Sequence, residues 1–149
     1  MKKIALIFIG LLIALYVAAI FVPFEPDERR PGTRLGGNLA EVQDTDWSFL
    51  QGRNQIFVET RTWYLIPHSV TTTSWVVDKT FYVPCGNCDS KRWPVNVQND
   101  PRVRLKINDE IYERKAIRIT DSAERRRLMR IPDGASLPES LAMYRMDPR

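Results

Sequence analysis

The side chains that could do chemistry crowd into one part of this chain, between His68 and Asn96. The sequence has a single histidine, His68, and two cysteines in the spacing Cys85-Gly86-Asn87-Cys88. Immediately after them come Asp89, Ser90, Lys91, Arg92, Trp93 and Pro94. Three chemistries are compatible with such a stretch: a dithiol redox centre, a metal clip, or a loop that holds an anion.

The redox reading lacks its usual setting. A catalytic Cys-x-x-Cys opens a helix within a βαβ unit, whereas this pair follows the strand-like run TFYVP. A structural zinc needs four ligands, and two cysteines with one histidine supply them only if two chains pool their thiolates. Outside the cytoplasm the pair reads as a local disulfide or as inert thiols. The cysteines are expected to be non-catalytic, and no metal site is expected.

The next residues favour an anion. Ser90 is a candidate N-cap for a helix running to about Asn99. Pro94 then falls in the first turn, where its missing N–H costs nothing. Trp93 and Val97, four apart, would pack inward. Lys91 and Arg92 would stand where the helix dipole disfavours cations, beside the free amides of residues 91–93. Asp89 offsets part of that repulsion. Amides, a hydroxyl and two cations together suit a phosphate. The bland alternative is that both basic side chains simply extend into water.

The elements that would position these groups are mostly strands. DTDWSFL, Asp44 to Leu50, offers an N-cap and a short helical turn ending at Gly52. QIFVETRTW then switches to a period of two, and HSVTTTSWVV, His68 to Val77, is rich in β-branched residues. Asp78-Lys79 separates it from TFYVP, which predicts a hairpin without the usual glycine. RVRLKI and IYERKAIRI alternate across a second turn at 108–110. Val103, Leu105 and Ile107 form one face of the first strand, with Arg102, Arg104 and Lys106 on the other. In the second, Ile111, Glu113, Lys115, Ile117 and Ile119 oppose Tyr112, Arg114, Ala116 and Arg118. A helix from about Ser122 to Arg130 carries an Asp121 cap, with Arg125, Arg126 and Arg127 as a solvated helix end. SLAMYRM returns as a last strand. The expectation is a mainly β (α+β) fold, five or six antiparallel strands with three short helices. Closing the sheet into a barrel hides its edges.

Ahead of this domain, Ile4 to Val22 is uncharged, flanked by Lys2, Lys3 and Pro23. Its apolar run is longer than the ~7–15 residues of a signal peptide and has no polar break after Val17-Ala18-Ala19. It is expected to be an uncleaved single-pass anchor (1–23), followed by a Pro- and Gly-rich linker (24–43) and one domain (44–149). Counting Lys and Arg near the span gives two before it and three after. The cations nearest the span lie on the N-terminal side, which favours a domain outside the cell membrane on the periplasmic face. The whole chain has 22 basic and 18 acidic side chains, a net charge of +4 over 149 residues. Half of that net charge is Lys2 and Lys3, so a nucleic-acid partner is not implied.

Taken in order, these pieces resemble the split β-barrel flavin-binding superfamily of pyridoxamine-phosphate-oxidase-like proteins, nearest its deazaflavin-dependent nitroreductase and quinone-reductase branch. The resemblance spans about Asp44 to Thr120 and, more loosely, the final strand. It rests on the strand entering Pro67-His68, the Trp75 to Tyr82 hairpin, Ser90-Lys91 opening a helix, and Asp100-Pro101 entering an alternating strand. The superfamily usually has Asn-Pro at that last point. The resemblance implies FMN or a deazaflavin, with its phosphate-bearing tail held by Ser90, Lys91, Arg92 and Asn96. His68, Ser69, Thr71 and Thr72 would form the strand wall of that site. It further implies a ring in the groove beyond, often at a homodimer interface, on which Trp63, Tyr64, Trp75 or Trp93 could stack. The implied function is a membrane-anchored oxidoreductase in which the cofactor does the chemistry, no nucleophile–base arrangement being present. An anchor would suit a lipophilic acceptor such as a quinone. Members that bind haem, or nothing known, also occur. The alternative is thus a non-catalytic envelope protein that keeps the barrel without a cofactor.

Overall fold

The computed structural model describes residues 2–42, 46–50 and 54–149. Helix α1, Lys2–Phe21, is followed by a two-residue strand β1, Asn38–Leu39, and a 3-10 turn at Trp47–Phe49. Asp46 caps that turn by accepting from the Ser48 amide at 2.8 Å; Asp44 and Gly52 lie outside the described residues. The strands β2 (Asn54–Thr60), β3 (His68–Val77) and β4 (Thr80–Gly86) come next. Then follow helix α2 (Arg92–Asn99), β5 (Arg102–Ile107), β6 (Glu110–Arg118), helix α3 (Ser122–Met129) and β7 (Leu141–Pro148).

Strands β2 to β7 pair antiparallel in the order β6-β5-β2-β3-β4-β7, and β7 also pairs with β6, so the sheet closes into a six-stranded barrel. β1 adds to β6 in parallel. The turns come from local chemistry. Asp78 and Lys79 both take positive φ (49° and 63°), the conformation that a two-residue hairpin needs. Asn108 does the same at the β5–β6 turn, with φ 56°.

Burial follows the alternation in β5, where Val103, Leu105 and Ile107 are buried. In β6 the core face is Tyr112, Arg114 and Ala116 rather than the more apolar set, and Ile117 is exposed. Arg114 is only 1% exposed. Its guanidinium lies over Trp47 and Tyr112, 5.0 and 5.7 Å from the ring centroids. Its Nη1 donates to Glu113 O at 2.8 Å. Stacking on aromatic faces lets a guanidinium enter a core that would reject an ammonium.

Residues 24–37 carry no periodic apolar face, yet they do not hang free. Phe24 N donates to Arg34 O and Thr33 N to Phe24 O, folding the segment into a small hairpin. Glu25 accepts from Lys106 Nζ at 2.6 Å and Gly36 N at 3.1 Å. Glu59 accepts from Leu35 N at 2.7 Å and Arg104 Nη1 at 2.8 Å. Gly32 exchanges two backbone bonds with Ser69 on β3, at 2.9 and 3.0 Å. The segment is a strap bound across the barrel wall.

α1 is a 20-residue apolar helix with mean hydropathy 2.9 and no buried residue. At ~1.5 Å per residue it spans ~30 Å, the hydrocarbon thickness of a bilayer. A membrane anchor and a signal sequence both fit that description.

Candidate functional site

β3, the start of α2 and the strap enclose a groove of about 600 Å³. That is a ligand-sized volume. β3 gives His68, Val70, Thr71 and Thr72; the α2 start gives Ser90 to Trp93; the strap gives Glu28 to Pro31.

The strand wall is fixed by register. His68, Val70 and Thr72 stand opposite Thr60, Val58 and Ile56 of β2, on the core-facing side. Thr60 Oγ1 donates to His68 O at 3.1 Å and accepts from Asn96 Nδ2 at 2.9 Å. Asn96 thus ties α2 to the β2–β3 pair and does not line the groove. Ser69, on the alternate face beneath Gly32, is fully buried. It too stands behind the wall. Thr71 Oγ1 is buried with no hydrogen-bond partner among the described residues. Burying a hydroxyl unpaired is costly, and by alternation this one lies on the Ser69 face of the strand.

At the helix start the sequence expectation shifts by one residue. Ser90 is not the N-cap. It ends a 3-10 turn, Cys88–Ser90, and its Oγ donates to Asn87 O at 2.8 Å. Lys91 holds the cap position without a capping side chain, and its N–H donates to Cys88 O at 3.0 Å. Pro94 lies in the first turn, and Trp93, Pro94 and Val97 are buried. The amides left over for an anion are those of Arg92 and Trp93, since Pro94 has none and later ones bond within the helix. Trp93 packs its ring 4.8 Å from that of Tyr144 and contributes to the groove.

Four cations face this space: Arg29, Arg30, Lys91 and Arg92, against the single acid Glu28. None of the four has an ion pair among the described residues, whereas Arg102, Arg104, Lys106, Arg127 and Arg145 all do. Among the described residues, Arg92 Nη1 donates only to the Tyr64 hydroxyl, at a long 3.4 Å. Burial, and next the charge of Arg92, pull the His68 imidazole below its ordinary 6.5. It is neutral at pH 7.

Six of the eight residues expected from sequence therefore share one groove: His68, Thr71, Thr72, Ser90, Lys91 and Arg92. Sequence reasoning missed Arg29 and Arg30. A turn closed by paired bonds between Asp27 and Arg30 (3.1 and 2.7 Å) brings them in. The usable signal was the Arg29-Arg30 pair ahead of Pro31-Gly32, and it was read as linker. Of the aromatics, Trp63 is exposed and Trp75 packs outside the barrel with Tyr82 and Leu128. Cys85 and Cys88 are both buried and joined as a disulfide.

No family profile and no curated protein matches the sequence. Solved structures do. General Stress Protein 26 of Bacillus anthracis aligns with a TM-score of 0.52 at 16% identity, covering 73% of this chain and 90% of that one. A conserved hypothetical protein of Mycobacterium tuberculosis gives 0.50 at 15% identity, with 78% and 84% covered. A candidate pyridoxamine 5'-phosphate oxidase of Listeria innocua gives 0.45 at 18% identity, with 64% and 85% covered. What is shared at these identities is the split-barrel fold; its branches are not distinguished.

Proposed function

We propose that the groove holds the phosphate-bearing tail of FMN or a deazaflavin, and that the chain is a membrane-anchored oxidoreductase using it. The observation that carries this reading is the convergence on one groove of four cations without an ion pair among the described residues, together with the two amides that open α2. Charges held without partners are stabilised by a bound anion. The residues present fit a phosphate.

When bound, such a cofactor supplies two-electron transfer at its ring; the protein's part is to bind, orient and exclude water. Lys91 and Arg92 would clamp the phosphate from the helix side, and Arg29 and Arg30 from the strap. The Arg92 and Trp93 amides would fix its direction. Neutral His68 is placed to donate or accept a hydrogen bond to the bound group without adding a fifth charge. The exposed α1 supports a chain held at a membrane, where a lipophilic acceptor such as a quinone is at hand.

The test is a fluorescence titration of the purified full chain in detergent with FMN and with a deazaflavin, preceded by its visible spectrum. The reading predicts saturable binding of at least one of them that weakens as salt rises, because exposed charges are screened. Binding of neither overturns it and leaves a cofactor-free envelope barrel.

A further inference from the structure

We infer that the β2–β3 loop is a second membrane contact, a rigid aromatic tip that seats the barrel on the bilayer beside α1. Three independent observations meet in this loop. First, it presents large apolar side chains to solvent: Trp63 is 91% exposed and Leu65 is 67% exposed. These are not loose ends. Leu65 N donates to Thr62 O at 3.2 Å, Ile66 N to Tyr64 O at 2.9 Å, and Thr62 Oγ1 to Ile66 O at 2.6 Å. Leu65 is held at φ 68°. A β-branched-free leucine in that conformation is an uncommon expense; here it keeps an apolar tip turned outward.

Second, the loop lies alongside the apolar helix and not beyond its end. The Tyr16 hydroxyl of α1 donates to Tyr64 O. Ile20, Trp63 and Leu65 line one cleft of about 590 Å³. Tyr16 stands five residues before the end of α1 at Phe21, or ~7.5 Å back along the axis at 1.5 Å per residue. Interfacial segments bury their apolar faces to ~5–10 Å. The tip therefore sits at headgroup depth, the level where Trp and Tyr concentrate.

Third, the flank is net basic: its acids Glu59, Asp100 and Glu113 pair with Arg104, Arg102 and Arg149. Arg34 and Arg61 border the same cleft. Arg34 has no ion pair among the described residues, and Arg61 only a marginal one to Asp100 at 4.0 Å. Lipid phosphates would complement them. The partner is accordingly the bilayer surface, with anionic lipids favoured.

This inference rests on α1 spanning the membrane and is independent of the cofactor. Trp63→Cys in the full chain gives a labelling position, since Cys85 and Cys88 are buried in their disulfide. Lys79→Cys is the control: it lies in the turn beyond the far end of the ten-residue strand β3. Both are labelled with a polarity-sensitive dye and reconstituted in vesicles of phosphatidylcholine and phosphatidylglycerol. Carbonate extraction reports α1, and quenching by a lipid-borne quencher reports the loop. Expected is retention of the chain, with blue-shifted, lipid-quenched emission at position 63 and aqueous-quencher access at 79. Retention with both positions equally water-accessible overturns the loop contact while leaving the anchor. Release by carbonate overturns both. None of these outcomes bears on flavin binding.

Discussion

Arg92 carries more of this site's logic than any other residue. It occupies the first turn of α2, where the dipole opposes it, and among the described residues it meets only a tyrosine hydroxyl. It also helps to keep His68 neutral. A histidine whose folded pKa is depressed stabilises the fold above its unfolded pKa, and that contribution is lost as pH falls through the folded value. Chemical unfolding measured from pH 7.5 downwards should therefore show stability declining below about 6.5. His68→Gln should flatten that decline. Asp46, held down to about 2 by its bond from Ser48 and then Lys79, acts only at lower pH and does not obscure the window. An unchanged slope in the variant would show that His68 is not buried as described. The disulfide gives a second residue-scale expectation. Closing so short a loop is worth about 2 kcal/mol on the chain-entropy view. Cys85→Ser with Cys88→Ser should cost roughly that much stability, again by chemical unfolding, and leave cofactor affinity intact. Loss of turnover with the fold and cofactor binding preserved would make the pair a redox centre after all.

Among the elements, the strap is the one whose role depends on a single small residue. A Cβ on Gly32 would come within 2.3 Å of Phe24 O and 2.6 Å of Pro26 N, both backbone atoms. Gly32→Ala must push the strap off Ser69 and carry Arg29 and Arg30 away from the groove. The expected result is weaker anion binding with the barrel's circular dichroism retained, and a stability cost of about 1–3 kcal/mol. Unaltered affinity would mean that the strap cations take no part. The strap also shows where sequence reading stops. Its fastenings join Gly32 to Ser69 and Glu25 to Lys106, 81 residues apart; no local pattern encodes them. The strands, by contrast, were legible because alternation is local: HSVTTTSWVV is β3 to the residue. At Ser90 a local rule misled, since a 3-10 turn competed for its hydroxyl and moved the cap to Lys91. In β6 an aromatic cradle for Arg114 overrode the apolar pattern.

At the scale of the molecule, the apolar helix leads into the strap, and the strap folds back beside β3 and the start of α2 to border one basic groove. Closure of the barrel was readable because SLAMYRM supplied a partner for the edges of β4 and β6. The cation set was only half readable, as Lys91 and Arg92 are adjacent in sequence to the helix they precede, while Arg29 and Arg30 arrive through folding. The central claim is that this groove grips a phosphate. Its most direct test compares, in the full chain, whichever of FMN and the deazaflavin binds with its analogue lacking the phosphate-bearing tail, in wild type and in Lys91→Ala with Arg92→Ala. Each charge-assisted contact is worth ~1.5–3 kcal/mol, so the tail should tighten binding to wild type, and the double variant, short of two such contacts, should lose about 3–6 kcal/mol of that gain. Equal affinity for the two ligands in wild type, or the same preference kept in the variant, would contradict the account.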